Sequence, residues 1–180
     1  MLLVVAATER ELAIVEGAET LCCGVGPVES ALQTARALAA RRPDAVLHVG
    51  IAGARGLEPP ALVLGSESVY EDVIDPASTL TRVERVSPDA RLLAAARAAL
   101  PQALVLPIAT SGRVGGAFGC EVEAMEGFGV LRAAELAGVP AVELRAVSNH
   151  TGEQDRGRWR IDDALAALGD ATATLIAALG

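Results

Sequence analysis

Residues 2–7 read LLVVAA, and the run stops at once on Thr8 and Glu9. A short, continuous apolar stretch with β-branched side chains is the signature of a strand buried on both faces, as in a parallel sheet. Outward from it the pattern repeats. The apolar piece at residues 20–23 ends in GVGP, and VESALQTARALAARR (28–42) then follows with helical spacing and a basic last turn that suits the helix dipole. Gly24 and Gly26 fit a tight strand-to-helix turn; a lone GxG is a weak signal of ligand contact. AVLHVGIAGA (45–54) reads as a strand running into a glycine turn, and LVLGSESVYEDVID (62–75) as a strand pair or one bent strand. Residues 89–100 form an amphipathic helix, ALVLPIATSG (103–112) a strand, and EVEAMEGFGVLRAAELAG (121–138) a helix stopped by Gly138 and Pro140. AVELRAVSN (141–149) is a strand and residues 162–179 a closing helix.

This alternation predicts one α/β domain over residues 1–180, a three-layer α/β/α sandwich around a mixed, mostly parallel sheet. The composition agrees, because 52% of residues are hydrophobic but only 2% aromatic. Such a core is built from small aliphatic side chains that interleave closely. In open α/β sheets ligands bind beyond the carboxyl ends of strands, so function is to be sought at those ends.

All 15 basic residues are arginine, which excludes Schiff-base chemistry and a phosphate-loop lysine. A net charge of −8 with no basic run makes nucleic acid an improbable partner and favours a small, partly polar ligand. Cys22, Cys23 and Cys120 form neither a CxxC pair nor a cluster with histidine, so they read as reduced thiols, with no metal site. The first apolar run is too short for a secretory signal, and no stretch reaches membrane-spanning length; a cytoplasmic protein is expected.

Three polar groups stand at strand ends or helix starts: Glu11, Glu126 and Asn149. Singly, each has an ordinary explanation as a first-turn carboxylate, a helix N-terminal carboxylate or a turn residue. His48 lies inside an apolar strand and reads as an interior residue, while His150 follows Asn149 without an assigned role.

Taken in order, VAATERE (5–11), GVGPVESA (24–31), VGIAGA (49–54), EAMEGFG (123–129) and VELRAVSN (142–149) resemble signatures of the nucleoside phosphorylase and nucleosidase superfamily. The likeness runs nearly end to end. It is strongest to the branch holding methylthioadenosine/S-adenosylhomocysteine nucleosidases and futalosine hydrolases. The resemblance implies a homodimer or larger homo-oligomer acting on a small-molecule nucleoside without metal or other cofactor. It implies that Met125 and Glu126 hold the ribose, that Glu11 is the general base on water, and that Arg145 helps to place that water. Ala52, Gly53 and Ser148 join the substrate-binding set.

The chemistry is consistent with those roles. Cleaving a ribosyl bond builds positive charge on the sugar, so one carboxylate near the ring stabilises the transition state while another activates water. TERE (8–11) stands where phosphorylases of the superfamily usually carry a glycine- and arginine-rich loop. A carboxylate there opposes a phosphate dianion by on the order of a few kcal/mol, which favours water as nucleophile, although Arg10 and Arg145 keep phosphate in play.

Adenine-specific relatives end the last strand in SerAsp, whereas this chain has Ser148 and Asn149. An amide donates to a 6-oxo group and accepts from a ring N–H, a pattern complementary to hypoxanthine or guanine. SerAsn followed by Asp155, Arg156 and Trp159 resembles the futalosine hydrolases, with Gln154 in place of a basic residue before the aspartate. Arg156 is therefore a candidate for the carboxylated aromatic tail of futalosine; an Asp155–Arg156 ion pair bracing the loop, with Trp159 as a packing anchor, is the alternative. Ile51 replaces a serine common in the adenine-specific enzymes, so one contact to water must come from elsewhere. Phe118 is the candidate for stacking on the base, in competition with plain core packing. A purine nucleoside phosphorylase, an adenine-specific nucleosidase and a silent nucleoside-binding module remain the rival readings.

Overall fold

The computed structural model describes residues 1–77, 79–116 and 119–180. Strand β1 (Leu2–Ala6) forms the seam between two helical layers. Its alternate side chains part company, as the period of two along a strand demands. Leu2, Val4 and Ala6 join a buried cluster with Leu168, Ala171 and Leu175, whereas Leu3 and Val5 pack with Leu38, Val130 and Leu131. Helices α3 (Ala90–Ala99) and α5 (Ile161–Leu179) supply the first layer; α2 (Pro27–Arg41) and α4 (Gly127–Ala137) supply the second. Each leucine buried in these layers contributes roughly 1.5–3 kcal/mol.

The sheet is mixed and mostly parallel. β1 lies between β2 (Glu19–Cys22) and β3 (Ala45–Ala54), parallel to both. β3 runs parallel to β8 (Ala141–His150), and β8 antiparallel to β4 (Leu62–Tyr70). β4 continues parallel to β6 (Leu104–Thr110), β6 to the short β7 (Val122–Ala124), and β7 returns antiparallel to β3. The strands β3, β8, β4, β6 and β7 thus close a ring, while β5 (Arg85–Val86) adds to β4 outside it. Among the described residues the short β2 and β5 are left as the edges of the sheet.

The segment 121–138 departs from the helix expected of it. Val122 to Ala124 pair with β6, and Val122 and Glu123 with β3, before the helix begins at Gly127, so its first residues obey a period of two and only the rest a helical period. A one-turn helix, α1 (Glu9–Leu12), was equally hidden behind β1, because four residues carry no periodicity. Among the described residues no helix is long and apolar enough to cross a membrane. Cys22, Cys23 and Cys120 are free thiols; burial pushes Cys23 up to about 12 and Cys120 to about 11.

Candidate active site

The site begins with the register of β3 on β8. His48 is the cross-strand neighbour of Glu143, and Gly50 of Arg145, so all four share the face that α2 and α4 cover. Arg145 is 1% exposed, yet each of its nitrogens has company. Nε donates to Glu143 Oε1 at 2.8 Å. Nη2 lies 2.6 Å from His48 Nε2, and Nη1 lies 3.5 Å from the Ile51 carbonyl and 3.6 Å from Glu126 Oε2. Arginine has no acceptor, so His48 Nε2 must accept and the ring is the neutral Nδ1–H tautomer. Burial, and then the neighbouring guanidinium, hold His48 well below the usual histidine range, in keeping with that state.

Glu11 reaches the same point from α1. Its Oε2 accepts from the Thr8 amide at 3.1 Å and the Thr8 hydroxyl at 2.8 Å, while Thr8 Oγ1 accepts from the Glu11 amide; this is a capping box that fixes the carboxylate. Glu11 Oε1 accepts from the Ile51 amide at 3.1 Å. The backbone of Ile51 therefore serves both Glu11 and Arg145, and an apolar side chain at this position costs the site neither of those contacts.

Glu126 is the N-cap of α4 and 5% exposed. Its Oε1 accepts from the amide of Gly26, at the start of α2, at 3.1 Å. The two helices approach closely enough that a Cβ on Gly129 would stand 2.5 Å from Ser30 Oγ, and this contact brings Gly26 to Glu126. Burial raises the Glu126 carboxyl above its ordinary value against the opposing pull of Arg145 and the Gly26 amide. Burial likewise raises Glu143, again opposed by Arg145.

At the other end, β8 carries a bulge. Ala52 pairs with Val147 but Gly53 with Asn149, which leaves Ser148 as the extra residue and re-aims the strand end. Ser148 Oγ lies 2.8 Å from Asn149 Oδ1 and 3.2 Å from the Ala52 carbonyl. Asn149 Nδ2 donates to the His150 carbonyl at 3.1 Å, which leaves its second amide hydrogen available.

A cavity of about 340 Å³ joins the two ends. Glu11, Glu126, Asn149, Ala52, Gly53, Met125 and Ser148 all line it, and Arg145 stands behind Glu126. Of the remaining sequence candidates, one has no described position and one is not brought there. Phe118 lies outside the described residues. Arg156 is exposed and is not among the lining residues; its guanidinium sits 5.4 Å above the ring of Trp159, and it is Trp159 that meets the cavity. Asp155 approaches Arg158, at 3.7 Å, and not Arg156, so the proposed Asp155–Arg156 brace is replaced by a stacked arginine.

Three other residues escaped sequence reasoning. Glu143 and Arg145 are two apart in a buried strand, so they share a face, and that spacing was the available signal. Glu123 lines the cavity and accepts from the Gly115 amide at 2.7 Å, but as one carboxylate in an assumed helix it gave no sign. Arg113 lines the cavity from the loop after β6, which Asp72 ties down by accepting from Ser111 Oγ at 2.8 Å and the Gly112 amide at 2.6 Å.

The family model of the phosphorylase superfamily matches residues 20–117. A futalosine hydrolase of Streptomyces coelicolor is 38% identical, over 89% of this chain and 79% of the relative. A Thermus thermophilus futalosine hydrolase is 43% identical over 35% of this chain. Among solved structures, a futalosine hydrolase mutant of Helicobacter pylori superposes with a TM-score of 0.89 at 17% identity over 99% of both chains. A methylthioadenosine/S-adenosylhomocysteine nucleosidase of Streptococcus pneumoniae, in complex with 8-aminoadenine, reaches 0.86 at 20% identity over 99% of both. Fold and motif matches together make this chain a member of the phosphorylase superfamily. Within it, the chain belongs to the futalosine hydrolase family.

Proposed function

We propose that the protein is an N-glycosyl hydrolase that splits the ribosyl bond of a 6-oxopurine nucleoside, with futalosine as substrate and hypoxanthine and dehypoxanthine futalosine as products. On this reading it serves menaquinone biosynthesis in the cytoplasm, as a homodimer or larger homo-oligomer. The observation that carries the reading is the convergence of Glu11 and Glu126 on Arg145 at one end of a cavity whose other end is Ser148 and Asn149.

Glu126 accepts from the ribose hydroxyls and faces the sugar as it becomes cationic; Met125 packs on the ring. Water sits between Glu11 and the Arg145 Nη1 edge, and Glu11 takes its proton as the bond to the base breaks. Asn149 turns its spare amide hydrogen to the 6-oxo oxygen, while its Oδ1 accepts from the ring N–H. Carboxylates near an oxocarbenium ion act most strongly where water is excluded, and both are buried. Arg113 lines the cavity and makes no ion pair with a described residue, which suits a carboxylated 5′ tail better than the outward Arg156.

The direct test is incubation with futalosine, inosine and methylthioadenosine, with and without phosphate, followed by mass identification of the products. Hypoxanthine and a free sugar from futalosine, at the same rate without phosphate, are expected. A sugar 1-phosphate as the main product would make it a phosphorylase, and stoichiometric binding without base release a silent module.

A further inference from the structure

We infer that Glu143 is a positioning residue for the reaction: it absorbs the charge and fixes the rotamer of Arg145 from behind, so that both carboxylates in front, Glu11 and Glu126, keep their negative field for the cationic sugar. The inference rests on the proposed hydrolysis for its mechanism but on the structure for its geometry.

One guanidinium faces three buried carboxylates. Without Glu143, the Arg145 charge would be spent against Glu11 and Glu126 and would cancel part of the field at the ring carbon. With Glu143 on Nε at 2.8 Å, that charge is balanced on the side away from the cavity. His48, a neutral acceptor on Nη2 at 2.6 Å, holds the fork without altering the balance.

The space around Glu143 is arranged for it. A Cβ on Gly127 would stand 2.5 Å and 2.6 Å from its two carboxylate oxygens, and one on Gly65 3.4 Å from its Cβ. Its Oε2 is buried with no hydrogen-bond partner among the described residues. A group needed only to satisfy one N–H would be met more cheaply by a neutral acceptor, because a buried carboxylate with an open oxygen carries a large desolvation cost. The charge itself is what a neutral acceptor lacks.

The test compares wild type with Glu143→Gln, which keeps an acceptor for Nε but removes the charge, and with Glu143→Asp, which keeps the charge. Two ligands are titrated by calorimetry: a cationic iminoribitol nucleoside analogue and free hypoxanthine. For Glu143→Gln, affinity for the cation should fall ~10-fold or more with hypoxanthine affinity unchanged, and kcat should fall ~10–100-fold with KM moved less than ~3-fold. Glu143→Asp should recover most of both losses. Equal losses for the cation and for hypoxanthine, or wild-type cation affinity in folded Glu143→Gln, would overturn the inference. Should the Gln variant fail to fold, Glu143→Met, which also removes the charge at similar volume, takes its place: cation affinity should fall ~10-fold or more with hypoxanthine affinity unchanged, and an unchanged ratio of the two refutes the role. The ligand comparison needs no turnover, so it decides the inference separately from whether wild type releases hypoxanthine.

Discussion

Gly50 lies so close beneath Arg145 that a Cβ on it would stand 2.2 Å from Nη1 and 2.9 Å from Glu11 Oε1. Both contacts are with groups that the surrounding hydrogen bonds hold in place, so neither has room to withdraw. Gly50→Ala should therefore lower kcat/KM by ~10²-fold, since a misplacement of about 1 Å costs that much, and lower stability by about 1–3 kcal/mol through overpacking. Steady-state kinetics with a urea melt checks both. An active, equally stable alanine variant would mean that Arg145 has freedom that its partners do not suggest.

Glu126→Gln and Glu11→Gln should each reduce turnover by about two to four orders of magnitude. Glu126 adds a second signature. Its folded carboxyl titrates above its ordinary value because burial outweighs Arg145, so the folded state holds that proton more tightly than the unfolded chain does. The corresponding stability is present below the unfolded value and is lost as pH rises through the folded one. At neutral pH the permanently neutral glutamine should thus stabilise the fold while abolishing catalysis. A thermal melt series across pH 4–8 would show the gain growing with pH; a loss of stability at pH 7 would contradict it.

Asn149→Asp should impair hydrolysis of hypoxanthine nucleosides and admit methylthioadenosine weakly. Wild type should prefer the 6-oxopurine by at least ~10²-fold, as sites built on hydrogen bonds reject analogues that leave a buried donor facing a donor. The measurement is kcat/KM for both substrate classes on both proteins. An unmoved preference would show that Asn149 does not read the base.

Arg113→Ala should reduce kcat/KM for futalosine by roughly 10-fold, the value of one charge-assisted hydrogen bond, and leave inosine unaffected because it has no tail. Arg156→Ala should do less, its guanidinium being stacked outward on Trp159. A larger effect at Arg156 would route the tail over the Trp159 ring.

The strand-and-helix alternation was legible because each strand is a block of aliphatic residues and each helix a stripe. β7 was not, since Val122 and Ala124 sit next to a true helix and three residues cannot declare a period. Glu11, Glu126, Arg145 and Asn149 could be picked out by motif, and they do meet around one cavity or just behind it. The partners of Arg145 were harder: His48 was read as an interior residue, and its burial is complete, but only the β3–β8 register reveals that it faces Arg145 across the strands. Arg156 was attractive as a charge near the right motif, and cation–π stacking on Trp159 took it elsewhere.

The single extra residue at Ser148 has a consequence for how this enzyme could change. Before the bulge, β8 is locked in register by Glu143 and Arg145 against His48 and Gly50; after it, the strand aims Ser148 and Asn149 by a separate pairing with Gly53. On the proposed roles, bond breaking and leaving-group choice occupy one strand but two pairing frames. If Asn149 reads the base as proposed, substitutions at the tip are expected to alter purine choice without disturbing the charges a few residues upstream, while a change before the bulge has to be answered across the strands.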